Sequence, residues 1–415
     1  MRVLPMSEIP SAPAHPWLTL IGIGEDGPAG LGDEAKRLIA AAPIVFGGAR
    51  HIELMAPLIT GETRTWLSPF ERSVEQVLAR RGMPTVVLAS GDPFLFGVGA
   101  TLSRYVPVAQ MLVIPAPSSF SLAASRLGWP LQGAVNLSLH GRPLDLIRPH
   151  LHPGRRIIAL TSDGRGPAEL ARLLLDNGFG QSKLTVLEAL GGANERVSTQ
   201  RAEEFALSGI NDLNVCGIEV IANTDARILP RSAGLSDELF EHDGQITKRE
   251  IRAITLSTLA PRYAELLWDI GAGSGSIGIE WMLADSSMRA IAIEASAERA
   301  ARIRRNAVNF GVPELVVVEG HAPGALTDLP VPDAIFIGGG GSDAGVLEVA
   351  IERLKRGGRL VANAVTTEME VLLLAEHARR GGSLIRIDIA RTAPVGKMTG
   401  WRPAMPVTQW SWLKP

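Results

Sequence analysis

The chain has 415 residues, 46% of them hydrophobic and 20% charged, with a formal net charge of −2. That length exceeds what one core organises and predicts two domains of roughly 150–200 residues, while the near-neutral charge, without runs of Lys or Arg, argues against nucleic acid as a partner. The single cysteine, Cys216, excludes intrachain disulfides and cysteine-cluster metal sites, so no metal is expected.

Residues 1–16 are Pro-rich and lack a signal-peptide core, and no apolar stretch reaches the about 18 residues of a membrane helix, which together predict a cytoplasmic chain with no membrane partner. Strands are then expected at 17–24, 43–47, 84–90 and 111–116, with helical patterns between them. After Pro130 the helical intervals thin out, and further strands at 134–140, 155–161, 183–190 and 215–223 mark a second subdomain. Cys216 lies in the last of these and reads as a small buried hydrophobe. Residues 224–238 read as a polar linker. A third sheet follows, with strands at 265–271, 289–295, 315–320, 333–339 and 358–364. Segments 383–391 and 405–413 read as a closing antiparallel pair, joined by a Gly/Pro-rich loop over 393–403. The pattern predicts an α/β chain with largely parallel sheets. A two-subdomain domain spans 17–223, and a Rossmann-like domain of the class I methyltransferase type spans 239–415.

The stretch WDIGAGSGSIGIEW, residues 268–281, fits two fingerprints. Gly273, Gly275 and Gly278 give the dinucleotide pattern; Asp269, Gly271, Gly273 and Gly275 give that of S-adenosylmethionine enzymes. In both, glycines bring the backbone close to a ligand, a helix from about Ser276 offers free N–H groups, and an acidic residue after the second strand accepts from ribose hydroxyls. Glu294 fills that last role, nineteen positions after Gly275. Asp269, placed to meet the ammonium of a methionine moiety, favours the second register, as do the early helix start and the antiparallel closing pair. Gly278 then becomes a helix–strand packing glycine. A dinucleotide site and a purely structural turn are the alternatives.

In the first half, IGIG, GDPFLFG, PSSFSLAASRLGWP, SLHGR and EALGGANERV occur in that order and resemble the tetrapyrrole (corrin/porphyrin) methyltransferases of cobalamin biosynthesis over about residues 17–223. One departure is APSS, where relatives more often carry a glycine before the serines. The second half resembles another cobalamin methyltransferase through GQITKREIRA, WDIGAGSGSIGIEW, EGHAPGAL, DAIFIGGGG and GRLVANAVT. The combination resembles the fused precorrin C5,15-methyltransferase/decarboxylase family.

That resemblance implies one S-adenosylmethionine site per domain. The first would use Gly91, Asp92, Pro93, Gly97, Ser118 and Ser119. The second would use Thr247, Asp269, Gly271, Ala272, Gly273, Ser274, Gly275, Glu294 on the ribose and Ala322 near the adenine. It also implies methylation at C5 by the first domain, and C15 methylation with loss of the ring C acetate carboxyl by the second. The ligand is then a tetrapyrrole small molecule bearing several carboxylates, so Arg and Lys should line the clefts. The candidates are Arg126, Arg142, Lys248, Arg249, Arg391, Lys397 and Arg402; Lys248, and Lys397 and Arg402 on the 393–403 segment, stand out as substrate-binding residues. His140 and His321 are candidate proton carriers, but nothing in the sequence singles out a catalytic acid or base. A homo-oligomer is expected. Competing readings are a methyltransferase for RNA or protein, a dinucleotide-dependent reductase, and a scaffold that binds tetrapyrroles.

Overall fold

The computed structural model describes residues 16–415; the Pro-rich start, with the reading of it as lacking a signal peptide, lies almost wholly outside them. The chain forms two compact units, one of residues up to 142 with 152–227, the other of 143–151 with 228–415.

The first unit opens with five strands, β1 (Leu18–Ile23), β2 (Ile44–Gly47), β3 (Glu62–Thr65), β4 (Thr85–Ser90) and β5 (Met111–Ile114), in the order β3-β2-β4-β1-β5. All pairs are parallel. β1 and β2 are buried at every position, as central strands covered on both faces must be. Alternate residues feed two cores: Leu18, Leu20, Phe46 and Val87 on one face, Ile21, Ile23, Val45 and Leu88 on the other. Edge strand β3 was not foreseen, because its sequence ETRT is polar and exposed throughout.

A second sheet follows, from β6 (Ala134–Ser138), β7 (Arg156–Leu160), β8 (Lys183–Glu188), β9 (Arg196–Arg201) and β10 (Asn214–Glu219), in the order β6-β7-β10-β8-β9. Here the expectation of a largely parallel sheet fails. Only β6 and β7 run parallel; the β7–β10, β10–β8 and β8–β9 pairs are antiparallel. Parallel neighbours need a long crossover, and the one helix of substance here, Gly166–Asp176, connects β7 to β8 with β10 inserted between them. Cys216 sits fully buried on β10, where desolvation raises its thiol pKa and keeps it protonated.

The second unit contains β11 (Leu266–Ile270), β12 (Arg289–Glu294), β13 (Val316–Glu319), β14 (Ala334–Ile337), β15 (Arg359–Ala364), β16 (Ser383–Ile387), β17 (Ala390–Val395), β18 (Met398–Pro403) and β19 (Val407–Leu413). The main sheet has the order β13-β12-β11-β14-β15-β19-β16. Its first five strands are parallel, and β19 runs antiparallel between β15 and β16, the Rossmann-like arrangement with an antiparallel closing pair. The 393–403 segment is not a loop. It forms most of the β17–β18 hairpin, turning at Gly396 and Lys397, with φ +62° at Gly396. A glycine at the first of two turn positions suits a type II′ hairpin. The side chains of these strands are almost all exposed, so no apolar alternation marks them in the sequence.

Segment 224–238, expected as a linker, divides at Ile228. Beyond it, Leu229 and Leu235 are buried in the core of the second unit together with Phe240. Among the described residues, no helix is long and apolar enough to cross a membrane, and no group of three or more His, Cys, Asp or Glu side chains is placed to hold a metal.

Candidate cofactor and substrate sites

In the second unit, the carboxyl ends of β11, β12 and β14 open into a cavity of 530 Å³. Gly271, Gly273 and Gly275 have φ of +69°, +61° and +76°, whereas Gly278 lies inside the helix Ser276–Ala284. The turn therefore uses the register that starts at Gly271. A methyl group on Gly271 would sit 2.2 Å from the carbonyl oxygen of Gly339, so this position needs both glycine's φ range and its missing side chain. Gly278 N–H donates to Asp269 Oδ2 at 2.9 Å, the close helix–strand contact that its position called for.

Asp269 is 1% exposed and its other oxygen, Oδ1, has no hydrogen-bond partner. Burial pushes its carboxyl up to about 7; the Gly278 amide opposes this and the nearby Glu294 charge adds to it. Glu294, at the end of β12, accepts from Gly273 N–H (2.8 Å) and Ser296 N–H (3.0 Å). A carboxylate offers about four lone-pair sites, so two remain available.

Of the residues expected at this site, Thr247, Lys248, Asp269, Gly271, Ala272, Gly273, Glu294 and Ala322 line the cavity. Ser274 and Gly275 do not. The Ser274 carbonyl is taken by Asn306 Nδ2 at 3.0 Å, and a methyl on Gly275 would meet Ile303 Cγ2 at 2.7 Å, so both face the helix Ala297–Asn309. The cavity also gathers Arg299 and Asp343, which no linear pattern indicated, together with Gln245 and Asn363 from the GQITKREIRA and GRLVANAVT motifs, with His321 on its wall. Its lining also includes the apolar Ile251, Val365, Ile387, Met405 and Val407, and Lys248 and Arg391 join Arg299 as cations. Lys397 and Arg402 lie on the hairpin and are not among its lining. Arg391, opposite Arg402 in that hairpin, is ion-paired with Glu250.

In the first unit, Gly91 follows β4 with its N–H on Ile23 O and its carbonyl accepting from Ala116 N–H. Asp92 Oδ1 accepts from Phe94 N–H at 2.8 Å, and the Pro93 carbonyl accepts from Gly99 N–H. Gly97 caps the short helix Val98–Leu102. Ser118 is the N-cap of the helix Ser119–Leu127 and accepts from Ser121 N–H at 3.2 Å; Ser119 is its first residue. The two loops touch: a methyl on Gly91 would lie 2.8 Å from Ser118 Cα. The fold thus brings together Gly91 and Ser118, while Asp92, Pro93 and Gly97 shape the same turn. Arg126, a candidate for substrate carboxylates, is instead engaged by both oxygens of Glu195. His140 Nδ1 lies 3.3 Å from the Thr161 carbonyl. Replacing Ser118 with alanine is expected to lower the stability of the first unit by about 1 kcal/mol, read as an earlier urea midpoint.

Two family models match the chain, Tetrapyrrole (Corrin/Porphyrin) Methylases over residues 18–206 and the Precorrin methyltransferase domain over residues 238–414. A Sinorhizobium protein described as precorrin-6Y C(5,15)-methyltransferase [decarboxylating] is 72% identical over 399 residues, covering 96% of this chain and 97% of its own. Its counterpart in Mycobacterium tuberculosis (strain ATCC 25618 / H37Rv) is 39% identical over 402 residues, covering 96% of this chain and 100% of its own. The crystal structure of the C-terminal domain of precorrin-6Y C5,15-methyltransferase from Rhodobacter capsulatus shares 52% identity, covering 44% of this chain and 98% of that one, with a TM-score of 0.42. With identity of this order along nearly its whole length, the chain belongs to the precorrin-6Y C5,15-methyltransferase (decarboxylating) family.

Proposed function

We propose that this chain is an S-adenosylmethionine-dependent enzyme of cobalamin biosynthesis that methylates a precorrin at C5 and C15 and removes the carboxyl of the ring C acetate. Each unit carries one cofactor site, the first unit acting as the tetrapyrrole methyltransferase domain and the second, with residues 228–238 packed into its core, as the methyltransferase/decarboxylase domain. The observation that supports a methyl-donor site in the second unit is the unpartnered, buried Oδ1 of Asp269 at the cavity wall. An apolar site leaves a buried polar atom unsatisfied only at a cost, and a ligand ammonium satisfies it. A dinucleotide has no cation for that place.

S-adenosylmethionine supplies an electrophilic methyl group when bound. The chain's own residues do the rest by positioning. Asp269 holds the ammonium, Glu294 has lone pairs for ribose hydroxyls, and the Gly271–Ala272–Gly273 backbone permits close approach, with Thr247 and Ala322 on the same wall. Ser274 and Gly275 act from behind by seating the turn on the helix Ala297–Asn309. In the first unit, the corresponding pocket is built by Gly91, Asp92, Pro93, Gly97, Ser118 and Ser119. The apolar lining residues Ile251, Ile387 and Val407 would shield the acetate carboxylate from water, and Lys248 would hold another carboxylate of the ring. We assign C15 methylation and decarboxylation to the second unit and C5 methylation to the first.

The test uses the full chain. Calorimetry is expected to give two equivalents of S-adenosylhomocysteine per chain, and turnover with labelled cofactor two labelled methyls and one carbon dioxide per precorrin. Tight NAD(P)H binding with no S-adenosylhomocysteine binding overturns the reading.

A further inference from the structure

The β15–β19 pair sets two polar side chains opposite each other in a layer that is otherwise apolar. Asn363 and Gln409 are register partners, and Asn363 shares its face with the core residue Val361, because side chains alternate along a strand. Gln409 is 1% exposed, and Thr255, on the helix Arg249–Leu259, is fully buried. These side chains form one network. Gln409 Nε2 donates to Asn363 Oδ1 at 2.9 Å and to Thr255 Oγ1 at 3.1 Å. Asn363 Nδ2 donates to Thr255 Oγ1 at 3.0 Å. Thr258, from the same helix, donates to Gln409 Oε1 at 3.0 Å. Burying so many polar groups is tolerable only when they are paired, and apolar side chains would fill the same layer without that cost.

The network ends in the cavity of the second unit, which the partly exposed Asn363 lines. An amide NH2 has two hydrogens. Asn363 commits one to Thr255, and the other has no partner among the described residues. Turning both amides over leaves the same count, one hydrogen committed and one free. The cavity residues beside Asn363 are apolar. Val407 precedes Gln409 by two positions and so shares its face; Ile387 is the register partner of Val407; Ile251 lies one helical turn before Thr255. All three line the cavity. A carboxylate entering that end gives up its water, and the free N–H of Asn363 is the donor that these four residues offer in return. A neutral donor also suits a carboxylate that has to leave as carbon dioxide. A cation would favour the charged reactant over a transition state from which the charge is departing.

We propose that Asn363 donates to the ring C acetate carboxylate in the second unit, with Thr255 and Gln409 as positioning residues that hold its amide. The proposal rests on reading that unit as the site of decarboxylation. It gives the buried polar network a part in selecting the ring that still carries its acetate. The amide binds the arm that the product has lost, so the decarboxylated product is held less tightly than the substrate.

Full-length Asn363→Ala, Asn363→Leu and Thr255→Val are compared with wild type in carbon dioxide release, with melting temperature and S-adenosylhomocysteine binding measured alongside. A parallel titration measures inhibition of that release by the decarboxylated product, purified from wild-type turnover. Asn363→Ala is expected to raise the KM for the ring substrate by about tenfold to a hundredfold, as when a hydrogen bond to a charged group is lost, and to leave the inhibition constant of the product unchanged. Asn363→Leu, similar in size but without a donor, should match it, so a failure of the alanine variant to fold leaves the comparison intact. Thr255→Val should raise the same KM by less, again with no effect on the product. Equal loss of affinity for substrate and product overturns the proposal, since the amide would then hold a group that both retain. An unchanged KM in either folded Asn363 variant overturns it, as does a weakening of S-adenosylhomocysteine that matches the change in KM. Absence of carbon dioxide release from the wild type overturns the reading of the second unit, and the proposal with it.

Discussion

Asp269→Ala and Asp269→Asn are both expected to weaken cofactor binding in the second unit by at least about a hundredfold, abolishing C15 methylation and carbon dioxide release at ordinary cofactor concentrations. Losing one partner of a buried ion pair costs about 3–5 kcal/mol, or about two to nearly four orders of magnitude in affinity. The asparagine variant is the sharper probe, because its amide oxygen can still accept from Gly278 N–H and so hold the helix Ser276–Ala284 against β11. Calorimetry should record the fall from two equivalents of S-adenosylhomocysteine to one. Two equivalents at unchanged affinity in Asp269→Asn would remove Asp269 from the site.

The same carboxyl predicts a pH signature of known sign. In the ligand-free protein it titrates near 7, against an ordinary value of 3.8. Between those values the folded chain holds a proton that the unfolded chain has released. Stability of the ligand-free second unit therefore falls as pH rises from about 4 to about 7 and is flat with respect to this group above that. Ligand affinity has the opposite slope, because an ammonium needs the ionised carboxylate: below pH 7 it falls by up to about tenfold per unit. Both slopes should vanish in Asp269→Asn.

The parts of the molecule that were legible in the sequence are those where local chemistry and tertiary role coincide. Buried parallel strands such as β1 and β11 are continuous apolar runs, and the turn after β11 needs glycine at Gly271 for φ and for the approach of Gly339. Asp269 and Glu294 stand at fixed distances from that turn, so a linear pattern carries them. The edges were illegible for the opposite reason. β3 and β9 have mostly exposed side chains, and β17–β18 is held by backbone pairing, which leaves no mark on side-chain pattern. Ser274 and Gly275 belong to the fingerprint but serve helix packing, a distinction that depends on where Ile303 and Asn306 lie. The Asn363–Thr255 contact joins residues 108 apart, and no periodicity links the helix Arg249–Leu259 to β15.

Arg252→Leu is the second change with a large expected effect, and it acts on stability and on the cofactor site together. Arg252 is fully buried. Its guanidinium donates to Glu280, to Asp237 Oδ1 at 3.0 Å, and to the carbonyls of Thr247 and Leu235; it also lies 4.8 Å from the centre of the Phe240 ring. Glu280 in turn accepts from Gly234 N–H (2.6 Å) and Leu235 N–H (3.0 Å). One ion pair therefore ties the 234–237 segment to the helices Arg249–Leu259 and Ser276–Ala284, and pins the backbone of Thr247 at the cavity. Removing the cation strands Glu280 as a buried charge with amide donors alone, which should cost about 3 kcal/mol or more, read from urea unfolding of the second unit. Arg252→Leu with Glu280→Leu separates the two roles. Replacing both ions by apolar side chains is often neutral, so much of the stability should return. The Thr247 carbonyl stays unanchored, however, and the affinity of the second unit for S-adenosylhomocysteine should stay low. Recovery of affinity together with stability would show that the pair serves only the fold, and a loss below about 1 kcal/mol in Arg252→Leu would mean that water or a neighbour can replace the guanidinium.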